Sequence, residues 1–157
     1  GNSVHIRQRS GERRAAEIVK IEGSQEMLGE LDPIDETALG FSRRNHHAFF
    51  LQRKDGQGYL FRTGKDVLGY SYIWDDGQVG PLAALSEGAF EGILTASLSL
   101  AAEKHTEQVS FLTPGSNESA ISLALQYGLR VHEPYILMAA RPFGKWGQYL
   151  FHSPPLM

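Results

Sequence analysis

The chain has 157 residues, a formal net charge of -3, 41% hydrophobic and 21% charged residues, and no cysteine. That length fits one domain with its own core. The mild acidity gives no general case for nucleic-acid binding, and the missing thiols exclude disulfides, thiolate nucleophiles and zinc–sulfur sites. No apolar run is long enough to span a membrane and no signal-peptide pattern opens the chain, so a cytoplasmic location with no membrane partner is expected. The opening Gly1-Asn2, without methionine, suggests a processed product or a piece of something longer.

Residues 1–14 are basic and read as a linker or an edge strand, with residues 4–7 alternating like a short strand. Residues 15–157 read as one domain with an aromatic C-terminal tail. A strand is predicted over 16–21. Ser24 caps a short helix through Leu31, and Asp32-Pro33 starts a second that stops at Gly40. Ser42 starts another, running to about Gln52.

A meander of three antiparallel strands follows. They cover residues 59–62, 67–74 and 79–85, joined by Gly64-Lys65-Asp66 and by Asp75-Asp76-Gly77. In the second, Val67, Gly69, Ser71 and Ile73 share one face, and Leu68, Tyr70, Tyr72 and Trp74 the other. Pro81 cannot donate to a ladder, so it marks a bulge or an edge. A long helix over 86–104 carries Phe90, Ile93, Leu94, Leu98 and Ala101 at helical period, with Ser86 as N-cap. A strand over 107–112 comes next. Asn117 then caps a helix to Tyr127, whose inner face is Ala120, Ile121, Ala124 and Leu125, and Gly128 ends it. Residues 130–133 and 135–140 are predicted as a hairpin broken by Pro134. The tail carries Phe143, Trp146, Tyr149, Leu150 and Phe151 and is expected to pack back on the body.

Strand, helix, strand, helix over 79–128 predicts an α/β unit with two neighbouring parallel strands. The full order resembles the fold of the GNAT superfamily of acetyl-CoA-dependent N-acetyltransferases over about residues 17–140. The local match is that family's N-x-x-A-x-x-L-Y-x-x-x-G-F pattern, against which Asn117, Ala120, Leu123 and Gly128 fall in place. The tail from Arg141 to Pro154 resembles the end of the second half of tandem GNAT proteins. The resemblance implies an α/β (α+β) domain with a mixed, mostly antiparallel sheet and a central parallel pair flanked by helices. It also implies acetyl-CoA as the cofactor, with Ala84, Leu85, Ser86, Gly88 and Asn117 as cofactor-binding candidates and chemistry at the gap between the parallel strands.

Two departures bear on function. Where the family carries R/Q-x-x-G-x-G/A, whose backbone amides hold the pyrophosphate, this chain reads Ser86-Glu87-Gly88-Ala89-Phe90-Glu91-Gly92. Glu87 and Glu91 each disfavour an anion at a helix start by some tenths to about 1 kcal/mol. The tyrosine that serves many members as general acid aligns with Ala124, which cannot donate a proton. Tyr127, Glu133 and His132 are the remaining catalytic candidates.

Three functional readings stay open. The first is a degenerate GNAT domain that supports a catalytic domain or binds ligand without turnover, with an N-terminal GNAT domain or a homo-oligomer as partner. The second is a working N-acetyltransferase that relies on positioning and electrostatics. The third is an unrelated α/β binding module. No metal is expected, because no Asp/Glu/His set has ligand spacing. His46-His47 read as surface or partly buried, and the tyrosine–tryptophan stripe reads as packing under helices. The turn at Thr113-Pro114-Gly115-Ser116 reads as a capped turn rather than an anion site.

Overall fold

The computed structural model describes residues 3–7, 13–104 and 107–154, so Arg9 and Glu12 of the basic segment and Pro155 of the tail lie outside the described residues. The strands are β1 (Ser3–Arg7), β2 (Arg13–Lys20), β3 (Gly56–Thr63), β4 (Asp66–Trp74), β5 (Gln78–Ala84), β6 (Ser110–Phe111) and β7 (Tyr149–Leu150). The helices are α1 (Gln25–Leu39), α2 (Arg44–Gln52), α3 (Glu87–Glu103) and α4 (Glu118–Gln126). The sheet order is β1-β2-β3-β4-β5-β6, antiparallel except for the parallel β5–β6 pair. This is the mixed sheet with one parallel pair that the sequence predicts.

Alternation along the strands builds two cores, one on each face. Phe61, Ile73, Val79, Leu82 and Leu150 meet Phe90, Ile93 and Leu94 of α3. Leu60, Tyr70, Tyr72, Trp74, Tyr149 and Phe151 meet Leu28, Leu31 and Ile34 of α1 and Phe50 of α2. Successive side chains point to opposite faces, so each strand feeds both layers. The stripe Tyr70, Tyr72, Trp74 is buried under α1 and α2 as expected. Leu68 is not on that stripe. The register shifts between Phe61 and Arg62, leaving Leu68 unpaired, and it packs with the α3 core. One extra residue in a strand reverses the facing of what precedes it.

Four local expectations are corrected. Asp32-Pro33 starts no second helix, because α1 runs through Pro33. Ile34, Asp35, Ala38 and Leu39 are all buried by continuing, which outweighs the hydrogen bond that Pro33 cannot make. Asp32 instead ties the α1–α2 connection, accepting from Ser42 Oγ at 2.5 Å and lying 3.7 Å from Arg44 Nε. The strand predicted over 107–112 contributes only Ser110–Phe111 to the ladder. Residues 129–140 form no hairpin; they carry no regular structure, and 130–140 are exposed. Of the predicted inner face of α4, only Ala120 is buried, and Leu125 is 65% exposed.

Pro81 does mark a bulge. Ser71 pairs with Leu82 and Ile73 with Val79, so Gly80 and a cis-linked Pro81 stand opposite Tyr72 alone. The aromatic tail packs back on the body as expected. Leu82 pairs with Leu150, and Ala83 with Tyr149. Leu150 is fully buried in the α3-side core. Leu150→Ala should therefore cost about 2–5 kcal/mol, read as a lower urea midpoint at unchanged slope. A loss under about 0.5 kcal/mol would mean that the tail is not part of the core.

Candidate functional site

The parallel strands β5 and β6 are paired only at their first residues, Gln78 with Ser110 and Val79 with Phe111. Beyond that point they diverge and form a fork. The family resemblance implies acetyl transfer at such a fork; here the chain's own tail occupies it. β7 runs antiparallel along the second half of β5, while Phe151 N donates to Leu112 O at 3.0 Å just beyond β6. The tail thus bonds to both prongs. The fit is close at the bulge, where Gly80 has φ +134 and a Cβ would lie 2.3 Å from Phe151 O. Gln78 Nε2 donates to His152 O, and Asn117 Nδ2 to Tyr149 O at 3.5 Å.

The N-terminus of α3 opens beside the fork. Ser86 caps it, its Oγ accepting from Ala89 N at 3.2 Å. The 3-10 turn Trp146–Gln148 sits against this helix start, where a Cβ on Gly147 would lie 2.9 Å from Glu87 Oε1. Orphan amides at a helix start attract anions. Here the Glu87 carboxylate lies against the backbone of the tail's turn at that helix start.

On the other face of the sheet lies a polar cluster that sequence reasoning missed. Asp35 of α1, His47 of α2 and Arg43 at the N-cap of α2 are all buried, with Tyr70 and Tyr72 of β4 and Tyr149 of β7. His47 Nε2 lies 2.8 Å from Asp35 Oδ2, and its Nδ1 lies 2.8 Å from Tyr72 Oη. Tyr70 Oη donates to Asp35 Oδ1 at 2.6 Å. Arg43 Nη1 donates to Tyr149 Oη, and its guanidinium stands 5.7 Å from the centre of that ring. Arg43 Nη2 has no hydrogen-bond partner among the described residues. Burial holds the Tyr70, Tyr72 and Tyr149 hydroxyls well above the ordinary 10.0. They stay neutral donors across the physiological range. An Asp–His–Tyr chain can relay protons in principle, but Asp35 and His47 are both 0% exposed and sealed from solvent. Its work in this state is to bond α1, α2, β4 and the tail together. The sequence carries no spacing signal for it, because its members come from four elements.

The predicted site residues divide into two groups. Ala84, Leu85, Ser86 and Gly88 run from the end of β5 into α3, and Asn117 is buried at the N-cap of α4, its Oδ1 accepting from Ala120 N at 3.0 Å. Of these, Asn117 bonds the tail directly and Ala84 follows the tail-paired Ala83. Tyr127, His132 and Glu133 do not join them. Tyr127 is 54% exposed at the far end of α4, ten residues beyond Asn117 or about 15 Å along a helix. His132 and Glu133 are exposed on the irregular segment, where Glu133 Oε2 accepts from Tyr135 Oη at 2.7 Å. His46 is partly exposed, whereas His47 is buried, against expectation. Among the described residues no group of three or more His, Asp or Glu could hold a metal ion. None of the described helices is long and apolar enough to cross a membrane.

Two measurements probe this arrangement. Tyr149→Phe removes the only hydroxyl bonded to the buried Arg43 guanidinium among the described residues and should cost about 1–3 kcal/mol. An unchanged urea midpoint would mean that water already serves Arg43. His152 packs 4.7 Å from Trp74 and 5.0 Å from Phe50. Burial, then the Arg53 charge, hold its pKa below the ordinary 6.5. The unfolded chain therefore takes up a proton first as pH falls, so stability is lost on acidification below about 6.5. The melting temperature should fall from about pH 7 to about pH 5, and less steeply in His152→Phe. An equal slope in both proteins would remove His152 as the cause.

No family model matches this chain, and no curated protein matches it. Solved structures do. A ribosomal-protein-alanine N-acetyltransferase from Brucella melitensis biovar Abortus 2308 superposes with TM-score 0.59 at 15% identity, over 80% of this chain and 99% of that one. The AAC(6')-Iy structure, in complex with the bisubstrate analog CoA-S-monomethyl-acetylneamine, gives TM-score 0.58 at 12% identity, over 81% and 99%. A probable acetyltransferase gives 0.57 at 18%, over 80% and 99%. At these identities the likeness is one of architecture. The chain has the mixed α/β fold of these acetyltransferases.

Proposed function

We propose that this chain is a degenerate GNAT domain, one that keeps the acetyltransferase fold without loading acetyl-CoA and that supports a second acetyltransferase-fold unit. The observation that carries the reading is the tail in the fork. β7 takes the hydrogen-bonding edge of Leu82 and Ala83, immediately before the candidate cofactor residues Ala84 and Leu85. A pantetheine chain laid along that edge would have to displace Tyr149 and Leu150, both fully buried. It would also separate Arg43 from its tyrosine partner. Two further features support the reading. Glu87 stands at the α3 start where a pyrophosphate would lie, and Ala124 stands where a general acid would be needed.

A second reading keeps one specific observation in its favour. Ser86 and Asn117 are well-formed caps on two helices that open toward the fork, so donor amides lie on both sides of it. If the tail withdraws, the chain is an acetyl-CoA-dependent N-acetyltransferase of an unassigned amine. It would then work by positioning and electrostatics rather than through a tyrosine acid.

Calorimetric titration of the full chain with acetyl-CoA near physiological salt decides between them. The expected result is no binding at millimolar ligand. Micromolar binding would overturn the degenerate reading. In that case Glu87→Gln with Glu91→Gln should tighten binding several-fold by removing charge beside the phosphates. Unchanged affinity in that variant would mean that the pyrophosphate sits elsewhere.

A further inference from the structure

We infer that Tyr72 is a redox-active tyrosine, which gives an electron to a one-electron oxidant in solution by way of Trp74 and its phenolic proton to His47. The inference goes beyond the acetyltransferase-fold reading and does not depend on whether the fork loads acetyl-CoA.

A tyrosine oxidised near neutral pH must lose its phenolic proton with the electron, because the oxidised phenol is a strong acid. A buried tyrosine therefore needs a base within hydrogen-bond reach, and it needs no solvent contact. Tyr72 Oη lies 2.8 Å from His47 Nδ1, and His47 Nε2 lies 2.8 Å from Asp35 Oδ2. A carboxylate only accepts, so Asp35 draws the imidazole proton to Nε2 and leaves Nδ1 to accept from Tyr72. The neighbouring tyrosines are less well placed. Tyr70 Oη donates to Asp35 Oδ1, and a carboxylate is by nature a weaker base than an imidazole. Among the described residues Tyr149 Oη is bonded to Arg43, a cation that can take no proton.

The electron leaves through a different partner. The Tyr72 ring stacks with Trp74, their centres 6.2 Å apart and their planes 15° apart. Trp74 lies under the Arg53 guanidinium, which stands 4.2 Å from the ring centre. Arg53 Nε donates to Asp55 Oδ1 at 2.9 Å, and both side chains reach solvent. One side chain thus separates Trp74 from water, a gap that electron transfer crosses without contact.

The oxidant takes one electron from Trp74, and the indole radical cation takes one from Tyr72. The Tyr72 O–H bond breaks as its proton forms a second N–H bond on His47, at Nδ1. Trp74 is restored, Tyr72 becomes a neutral phenoxyl radical, and His47 becomes an imidazolium held by the Asp35 carboxylate. A thiol or ascorbate in solution returns the electron, and the proton moves back. Tyr72 is 1% exposed, so its radical cannot couple with a second chain.

Flash oxidation by a photoexcited ruthenium polypyridyl with an electron-accepting quencher, read by electron paramagnetic resonance, tests this. Tyr127→Phe with Tyr135→Phe first removes the two exposed tyrosines. A tyrosyl radical is expected in that protein, retained on adding Tyr70→Phe, lost on adding Tyr72→Phe and formed in lower yield on adding Trp74→Phe. By voltammetry its potential should not move between about pH 7 and about pH 9, because the proton stays on His47. Charged and titratable groups around His47 are Asp35 on α1, Arg43 and His46 on α2, and Tyr70 on β4. Burial, then the Arg43 charge, hold His46 below 6.5, and burial holds Tyr70 well above 10.0, so neither titrates in that window. A radical that survives Tyr72→Phe would overturn the inference, as would an unchanged yield in Trp74→Phe. So would a potential that falls with pH as a solvated tyrosine's does. That last measurement keeps Tyr72 in place, so it holds even if Tyr72→Phe fails to fold.

Discussion

Parallel strands that diverge expose backbone donors and acceptors across a gap, and buried groups of this kind must be bonded. In this chain the gap between β5 and β6 is bonded by the tail. Leu82 and Ala83 pair with it on one side and Leu112 on the other. Leu150 and Tyr149, one residue apart, then point into opposite cores. A two-residue strand at that position closes the sheet and seals both hydrophobic layers, while the turn just before it lies against the start of α3. Much of the interior depends on it.

The buried polar cluster extends the same constraint to the other face. A guanidinium and a carboxylate are costly to bury unless they are hydrogen-bonded. Asp35 is bonded twice, by His47 and Tyr70, whereas Arg43 is bonded through Tyr149 of the tail. Withdrawing β7 would therefore leave a charge without its partner as well as a gap in the sheet. Tail and cluster act as one unit, and that coupling is why occupation of the fork bears on function.

Fold and function separate at this point. The architecture is shared with acetyltransferases of unrelated acceptors, and a fold of this kind hosts many activities. What distinguishes this chain is local: acid at the α3 start, an alanine in α4, a tail in the fork, and an apolar segment left outside the sheet.

The sequence by itself determined the parts governed by local periodicity and capping. Ser86 and Asn117 as caps, the stripe on α3, the meander turns at Gly64 and Gly77, and the parallel order of β5 and β6 all follow from residue spacing. The five cofactor candidates come from the family resemblance, and they lie at the ends of those elements. Tertiary structure alone decided the rest. α1 continues through Pro33 because burying Ile34 and Ala38 outweighs one lost hydrogen bond. Leu68 changes face because a bulge shifts the register. The strand pattern of 130–140 stays outside the sheet while Tyr149 and Leu150 enter the fork, although both segments are apolar enough to pair. Which apolar segment wins a given edge depends on long-range partners, here Arg43, Asn117 and Leu112, and no local window of sequence contains them.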